Sequence, residues 1–269
     1  MPVQRGPTLS GLWQVRECSF AVTLLDGLAL IFFMCADDMG WGEPGLYPAT
    51  SQHGRISTPR LDEFGQSGVR FTNAYAGYTV CAPSRTTLMT GYHSGHFPAL
   101  GLDGENLHPD FPKTILPQML KEAGYATAGV GKLAPLTNPT SSGFDFFIGQ
   151  VDQGLCHNMY PRLIDSGNET NNVALPGNKN IPACTTGKFQ DARSYCMNPD
   201  NVPNLNYTVD ITHDQSMAWV ANENGTYRNE SQPFFLYESF TVPHAGGWGW
   251  QGSPGGEYFN HSGFVRSIA

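Results

Sequence analysis

Leu28-Ala29-Leu30-Ile31-Phe32-Phe33-Met34-Cys35-Ala36-Asp37-Asp38 (residues 28–38) is the stretch on which the fold turns. From Leu28 to Ala36 the residues are apolar without alternation, and two adjacent carboxylates follow. A strand that is half exposed alternates apolar and polar residues; one buried on both faces, as in the middle of a parallel sheet, does not. The wider apolar run 20–36 could suggest a signal or membrane segment. Asp26 and Gly27 interrupt it, no strongly basic stretch precedes it, and it leads straight into Asp37 and Asp38. Residues 28–36 are therefore read as a central strand, with no stable membrane anchor. Residues 1–27 fit neither a clean signal peptide nor a domain start and stand apart as an N-terminal segment.

Downstream, helix and strand signals alternate. Thr58-Pro59 opens a short helix through Leu61 and Phe64, with Thr58 as N-cap and Gly65 and Gly68 near its end. Val69-Arg70-Phe71 reads as a short strand, and Pro83 marks the first turn of another helix. Residues 113–123 set Ile115, Leu116, Met119, Leu120 and Ala123 on one face, closing at Gly124. Tyr125–Val130 reads as a strand, 150–207 as loop-dominated, 209–222 as a helix and Phe234–Tyr237 as a strand. Alternation of this kind predicts an α/β protein with a central, mostly parallel sheet, and residues 28–269 form one domain.

Composition narrows the function. Of 269 residues, 40% are hydrophobic and only 14% charged, with 31 Gly and 20 Pro, which suits a loop-rich globular chain. A net charge of −8 gives no footprint for nucleic acid or an anionic membrane surface. Five N-glycosylation sequons, at Asn168, Asn206, Asn224, Asn229 and Asn260, favour a secretory route to the lysosome or the extracellular space. Among six cysteines, Cys184 and Cys196 share one loop-like stretch and are the first choice for a disulfide, with two free thiols as the alternative.

The chemistry concentrates at Cys81-Ala82-Pro83-Ser84-Arg85, followed by Leu88 and Gly91. Pro83 in a first helical turn puts Cys81 at the helix N-terminus, where free N–H groups favour an anion. Arg85, one turn on, can reach back with two parallel hydrogen bonds. Asp37 and Asp38 follow a strand's C-terminal end, where ligands gather in α/β sheets, and a hard cation would relieve their repulsion. Lys132 follows the strand 125–130, and His244 follows Phe235–Pro243 in a Pro-His turn. A histidine titrates near neutral pH, so His244 suits proton transfer.

Taken together these segments resemble the formylglycine-dependent, arylsulfatase-like sulfatases over roughly residues 28–245. Besides the Cys81 motif, the resemblance includes Asp37-Asp38-Met39-Gly40, Thr58-Pro59 through Tyr75, Gly131-Lys132, Asp152-Gln153, His157-Asn158-Met159-Tyr160-Pro161, Leu175-Pro176-Gly177-Asn178 and Phe235 to His244. It implies an alkaline-phosphatase-like α/β sandwich whose N-terminal catalytic part this chain carries, the C-terminal part being absent from these residues. It implies that a formylglycine-generating enzyme oxidises Cys81 to formylglycine. One hydroxyl of the hydrated aldehyde then attacks sulfur and the other later expels sulfate. Asp37, Asp38 and Cys81 would hold Ca²⁺, Arg85 and Lys132 would stabilise the nucleophile and sulfate, and His244 would bind the ester oxygen and protonate the leaving group. His157 is a further active-site and substrate-binding candidate. The substrate would be a sulfated small molecule or glycan.

The chain departs from the family pattern in one place. Many members have a histidine two residues after the lysine, as base for sulfate release, and here that position is Ala134. The downstream acid pair that completes a calcium site has no match before Ala269 either. Calcium takes roughly six to eight oxygens, so weak Ca²⁺ binding and little activity are expected of these residues alone. The alternatives are an inactive sulfatase-like protein that binds sulfated glycans, and a phosphate or phosphonate ester hydrolase on the same fold.

Overall fold

The computed structural model describes residues 13–15, 18–25, 28–40, 43–47, 57–93, 95–96, 114–153, 155–157, 159–161, 163–174 and 206–244. Its frame is an eight-stranded sheet: β1 (Trp13–Val15), β2 (Cys18–Leu25), β3 (Leu28–Asp37), β4 (Ala126–Lys132), β5 (Phe146–Gln150), β6 (Leu163–Ser166), β7 (Asn168–Ala174) and β8 (Phe234–Pro243). The spatial order is β1-β2-β3-β8-β4-β5-β6-β7. The four central strands β3, β8, β4 and β5 are parallel. Antiparallel pairs flank them, β1 and β2 on one side and the β6–β7 hairpin on the other.

Why these segments lie in the middle follows from their residues. Successive side chains of a strand point to opposite faces, so a continuous apolar run needs cover on both. On one face Phe33, Cys35, Phe147, Phe235 and Tyr237 join Met89 of α2 (Cys81–Thr90) and Ile115, the N-cap of α3 (Leu116–Glu122), in one buried cluster. On the other, Leu30, Ala128, Val130, Ile148, Phe234 and Leu236 pack with Trp219 of α4 (Thr208–Ala221). The result is a helix–sheet–helix sandwich. A further short helix, α1 (Pro59–Ser67), starts at Pro59 behind Thr58, as its sequence predicts. Thr58 Oγ1 does not cap that helix; it accepts from the Gly45 N–H (2.9 Å) and donates to Asp62 (2.8 Å).

Several sequence expectations change. Residues 13–15 and 18–25, set apart from the domain, form two strands at the edge of its sheet, and Cys18 lies in register with the disulfide-bonded Cys35. Val69-Arg70-Phe71 is no strand: only Arg70 makes a bridge, its guanidinium donates to the Leu46 carbonyl, and Val69 is exposed. Met119 is exposed, and it is Leu116 and Leu120 that pack α3 against the core. The hairpin β6–β7 lies within the stretch read as loop, hidden there by its polar sequence, Asn168-Glu-Thr-Asn-Asn. Cys184, Cys196, Leu175–Asn178 and Asn260 lie outside the described residues.

One glycine sets how closely the central strands approach. Gly131 has φ +90°, and a Cβ there would lie 2.1 Å from the Ser239 carbonyl oxygen of β8. Replacing it strains the backbone and pushes apart two strands that both carry site residues. Gly131→Ala is expected to lower stability by at least about 2 kcal/mol, read as a shift in the urea unfolding midpoint; a shift within error would disprove the assignment.

Candidate active site

The central strands deliver their C-terminal ends to one place. Asp37 ends β3, Lys132 ends β4, and His244 directly follows β8 at Pro243. A short 3-10 turn, Leu155–His157, follows β5 and brings His157. Crevices beyond the carboxyl ends of parallel strands are where ligands bind in open α/β sheets. Cys81 meets them from above as the first residue of α2, and it is a buried free thiol.

Asp37 is the centre of the group, with no exposed surface. Its Oδ2 accepts from Lys132 Nζ at 2.5 Å, and its Oδ1 accepts from Arg85 Nη2 at 3.3 Å. Burial raises a carboxyl pKa, but the Lys132 and Arg85 cations overcome it and hold Asp37 well below the usual carboxylate range. Burial also disfavours the Lys132 ammonium, which nonetheless stays protonated above its ordinary range. Its neighbour Cys156, pushed up to about 12 by burial, is a neutral thiol near pH 7, so the anion that holds Lys132 charged is Asp37.

Arg85 is equally buried and is taken up inside the protein. Its Nη1 donates to the Lys132 carbonyl (3.0 Å), to the Tyr237 hydroxyl (2.9 Å) and to Ser239 Oγ. Of the three guanidinium nitrogens, Nε alone lacks a partner among the described residues. The guanidinium therefore ties α2 to β3, β4 and β8, where the sequence reading aims it at a diol or sulfate oxygen. Period-2 alternation accounts for the contact: Phe235, Tyr237 and Ser239 share the face of β8 that looks towards α2.

The histidines form the wall. His157 Nε2 lies 2.9 Å from Lys132 Nζ and 3.8 Å from Asp37 Oδ2. An ammonium only donates, so Nε2 accepts and the ring proton sits on Nδ1. Burial lowers the His157 pKa to about 4, and Lys132 adds to this against the pull of Asp37. The ring stacks on His244 at 4.0 Å between centroids, and His244 Nε2 faces Asp38 Oδ2 at 3.1 Å. Asp38, at φ 61°, is half exposed. The two adjacent acids thus face different partners, Asp37 the buried cations and Asp38 the His244 ring.

Sequence reading gives no role to Gln153, Cys156, Tyr237 or Ser239. Gln153 Nε2 donates to Cys81 Sγ at 2.9 Å, its backbone carbonyl accepts from Cys156 Sγ at 2.9 Å, and its Oε1 is buried without a partner among the described residues. Its place in the Asp152-Gln153 motif beside His157 is the signal that could have found it.

The resident cation expected here is Ca²⁺, on Asp37, Asp38 and Cys81. The donors that converge are of another kind: one oxygen of Asp37 and one ring nitrogen each from His157 and His244, all within 4.8 Å of one another. Calcium binds through oxygen in a shell of roughly six to eight ligands. The described residues do not offer that cage.

With this geometry in place, comparison with known proteins is specific. A model of the sulfatase family matches residues 29–260, and the chain belongs to that family. It is similar to N-acetylgalactosamine-6-sulfatase of Sus scrofa, 30% identical over 80% of this chain and 40% of that protein. N-acetylgalactosamine-6-O-sulfatase of Bacteroides thetaiotaomicron is 41% identical over 47% of this chain and 25% of its own length. Human arylsulfatase A is 27% identical over 81% of this chain and 43% of its own. The chain thus spans less than half the length of each of these relatives. Among solved structures, Ps i-CgsB in complex with k-i-k-neocarrahexaose matches with a TM-score of 0.51 at 20% identity, over 78% of this chain and 44% of that one. The fold is the alkaline-phosphatase-like sandwich expected.

Two predictions test the electrostatics. Asp37→Asn leaves two buried cations without their carboxylate and is expected to cost about 3–5 kcal/mol, measured by urea unfolding; a loss under about 1 kcal/mol would contradict the pairing. The unfolded chain takes up the His157 proton near pH 6.5 and the folded chain only near 4. Stability is therefore complete above the upper value and falls by up to about 3 kcal/mol as pH drops towards the lower. His157→Gln should flatten that part of the stability curve.

Proposed function

We propose that this protein hydrolyses sulfate esters through a formylglycine made from Cys81. The observation that carries the reading is convergence: Cys81 with Arg85, Lys132, Asp37, His157 and His244 come from five separate places in the chain to one crevice. Converted to formylglycine and hydrated, residue 81 supplies a geminal diol that attacks sulfur and later releases sulfate.

The chain's own groups do the rest. The α2 N-terminus and Lys132 favour the sulfate anion where charge develops. Arg85 acts through position, fixing α2 against the strand ends. Gln153 holds residue 81 from the side, and its Oε1, without a partner among the described residues, can accept a hydrogen bond from a diol hydroxyl. His244 protonates the leaving alcohol. His157 takes the diol proton at release, in place of the base that Ala134 lacks; its ring is neutral near pH 7, and its Nε2 becomes able to accept once the Lys132 ammonium turns from it to the sulfate. Calcium, expected at Asp37, Asp38 and Cys81, lacks a complete oxygen cage among the described residues, and no step here is routed through it.

The substrate class follows from the relatives. Two of those above are named for sulfate on N-acetylgalactosamine, which supports a sulfated glycan here. Exposed sequons at Asn224 and Asn229 support a secretory location.

Peptide mass spectrometry over Cys81, with protein from a host that has the modifying enzyme, is expected to find the thiol replaced by an aldehyde; an intact thiol refutes the central claim. On a panel of aryl esters, sulfate turnover should exceed phosphate turnover, and the reverse ranking would point to a phosphatase. In the same assay His157→Ala should lower kcat by about 100-fold or more while KM changes little.

A further inference from the structure

Away from the crevice, on the face of the sheet that meets α4, a second carboxylate lies under cover without the cations that balance Asp37. Alternation along β8 turns Phe234, Leu236 and Glu238 towards α4, opposite to Tyr237 and Ser239. Phe234 and Leu236 pack with Trp219 there, and the Glu238 side chain is only 10% exposed. The strands on either side bring Met34 of β3 and Val130 of β4 into register with it, both uncharged. From α4, Asp210 and Asp214 are exposed, and among the described residues the one ionisable group that acts on Glu238 is His213. His213 Nδ1 lies 3.3 Å from Glu238 Oε1, while the ring, 53% exposed, reaches solvent and meets Phe240 at 6.4 Å between centroids. Ser216, one turn along α4, is buried, and its hydroxyl has no fully formed hydrogen bond among the described residues.

A buried carboxylate without a cation is costly, and it lowers that cost by taking a proton or by facing one. We infer that Glu238 and His213 form a proton-taking clasp between β8 and α4, which binds one proton from solvent as the medium turns acid and is firmer for it. Whichever group holds that proton, the gain is the same in kind. A carboxylic acid, or a carboxylate facing an imidazolium, replaces a buried anion that has no cation. The exposed edge of the His213 ring is the way in. Burial pushes the Glu238 carboxyl up, with Ser216 and His213 pulling the other way. A carboxyl whose folded value lies above its unfolded one costs stability while ionised. That cost is present at neutral pH and disappears as pH falls through the folded value towards the unfolded one. His157 acts in the opposite sense over the acid range, so the two faces of the sheet carry opposing responses to acid. From Glu238, β8 runs on to Pro243, directly before His244, so the clasp braces the strand that feeds the crevice.

The test is urea unfolding of the whole chain and of Glu238→Gln between pH 7.5 and 5. Comparing the two cancels the His157 contribution. The variant should be the more stable at pH 7.5, and wild type should gain on it by about threefold or more in the unfolding equilibrium constant by pH 5. A constant difference across that range, or a variant that loses stability at pH 7.5, would overturn the inference. Carboxyl carbon NMR of the unsubstituted chain gives a second readout that needs no variant to fold. Glu238 should titrate at higher pH than the exposed Glu223 and Glu230, and titration together with them would refute the clasp. His213→Ala removes the partner that favours the charged carboxylate, so it should move the Glu238 midpoint to higher pH; an unmoved midpoint would show the two groups uncoupled. None of these readouts depends on Cys81 or on ester hydrolysis.

Discussion

A carboxylate removed from water loses several kcal/mol of hydration, even after the protein relaxes around it. Asp37 is in that position, and Lys132 on one oxygen and Arg85 on the other restore the balance. Each cation is itself buried and needs the acid in turn. Three charges from β3, α2 and β4 are therefore stable only together. This mutual dependence fixes where the strand ends stand relative to the helix carrying Cys81. The low pKa of His157 and the neutral thiol of Cys156 follow from the same dry, cation-rich surroundings.

Much of this was legible from residue types. The unalternated run 28–36 predicts a central strand, and β3 pairs in parallel with β8. Pro83 places Cys81 at a helix start, and Cys81 is its first residue. Lys132 and His244 end up where strand ends place them. Less legible was the direction in which side chains point. Adjacent acids invite the reading of a shared cation; the contact of Asp38 with His244, from the far end of the described chain, could not be read from that pair. An arginine one turn beyond a nucleophile invites the reading of a substrate ligand; Arg85 instead meets Tyr237 and Ser239, residues more than 150 positions away in the chain. Such pairings depend on strand order, and β8 inserts between β3 and β4 although it is last in sequence.

The substitution at Ala134 illustrates the same point. Read along the chain it is a missing base. In space, Ala134 is buried, and an imidazole stands at the lysine's other side, contributed by the turn after β5. Function of this kind belongs to a position in the crevice, and more than one stretch of chain can supply it.

Cys81 is buried together with Ala82, Pro83, Ser84 and Arg85, and Gln153 covers its sulfur. On the proposed conversion, an enzyme that oxidises this thiol has to reach a side chain that the folded helix keeps buried. Conversion and folding would then be rival fates of the same segment. The fraction of molecules that mature would be decided by a race between them: a chain that folds first locks in an unconverted thiol, stable in shape and silent in chemistry.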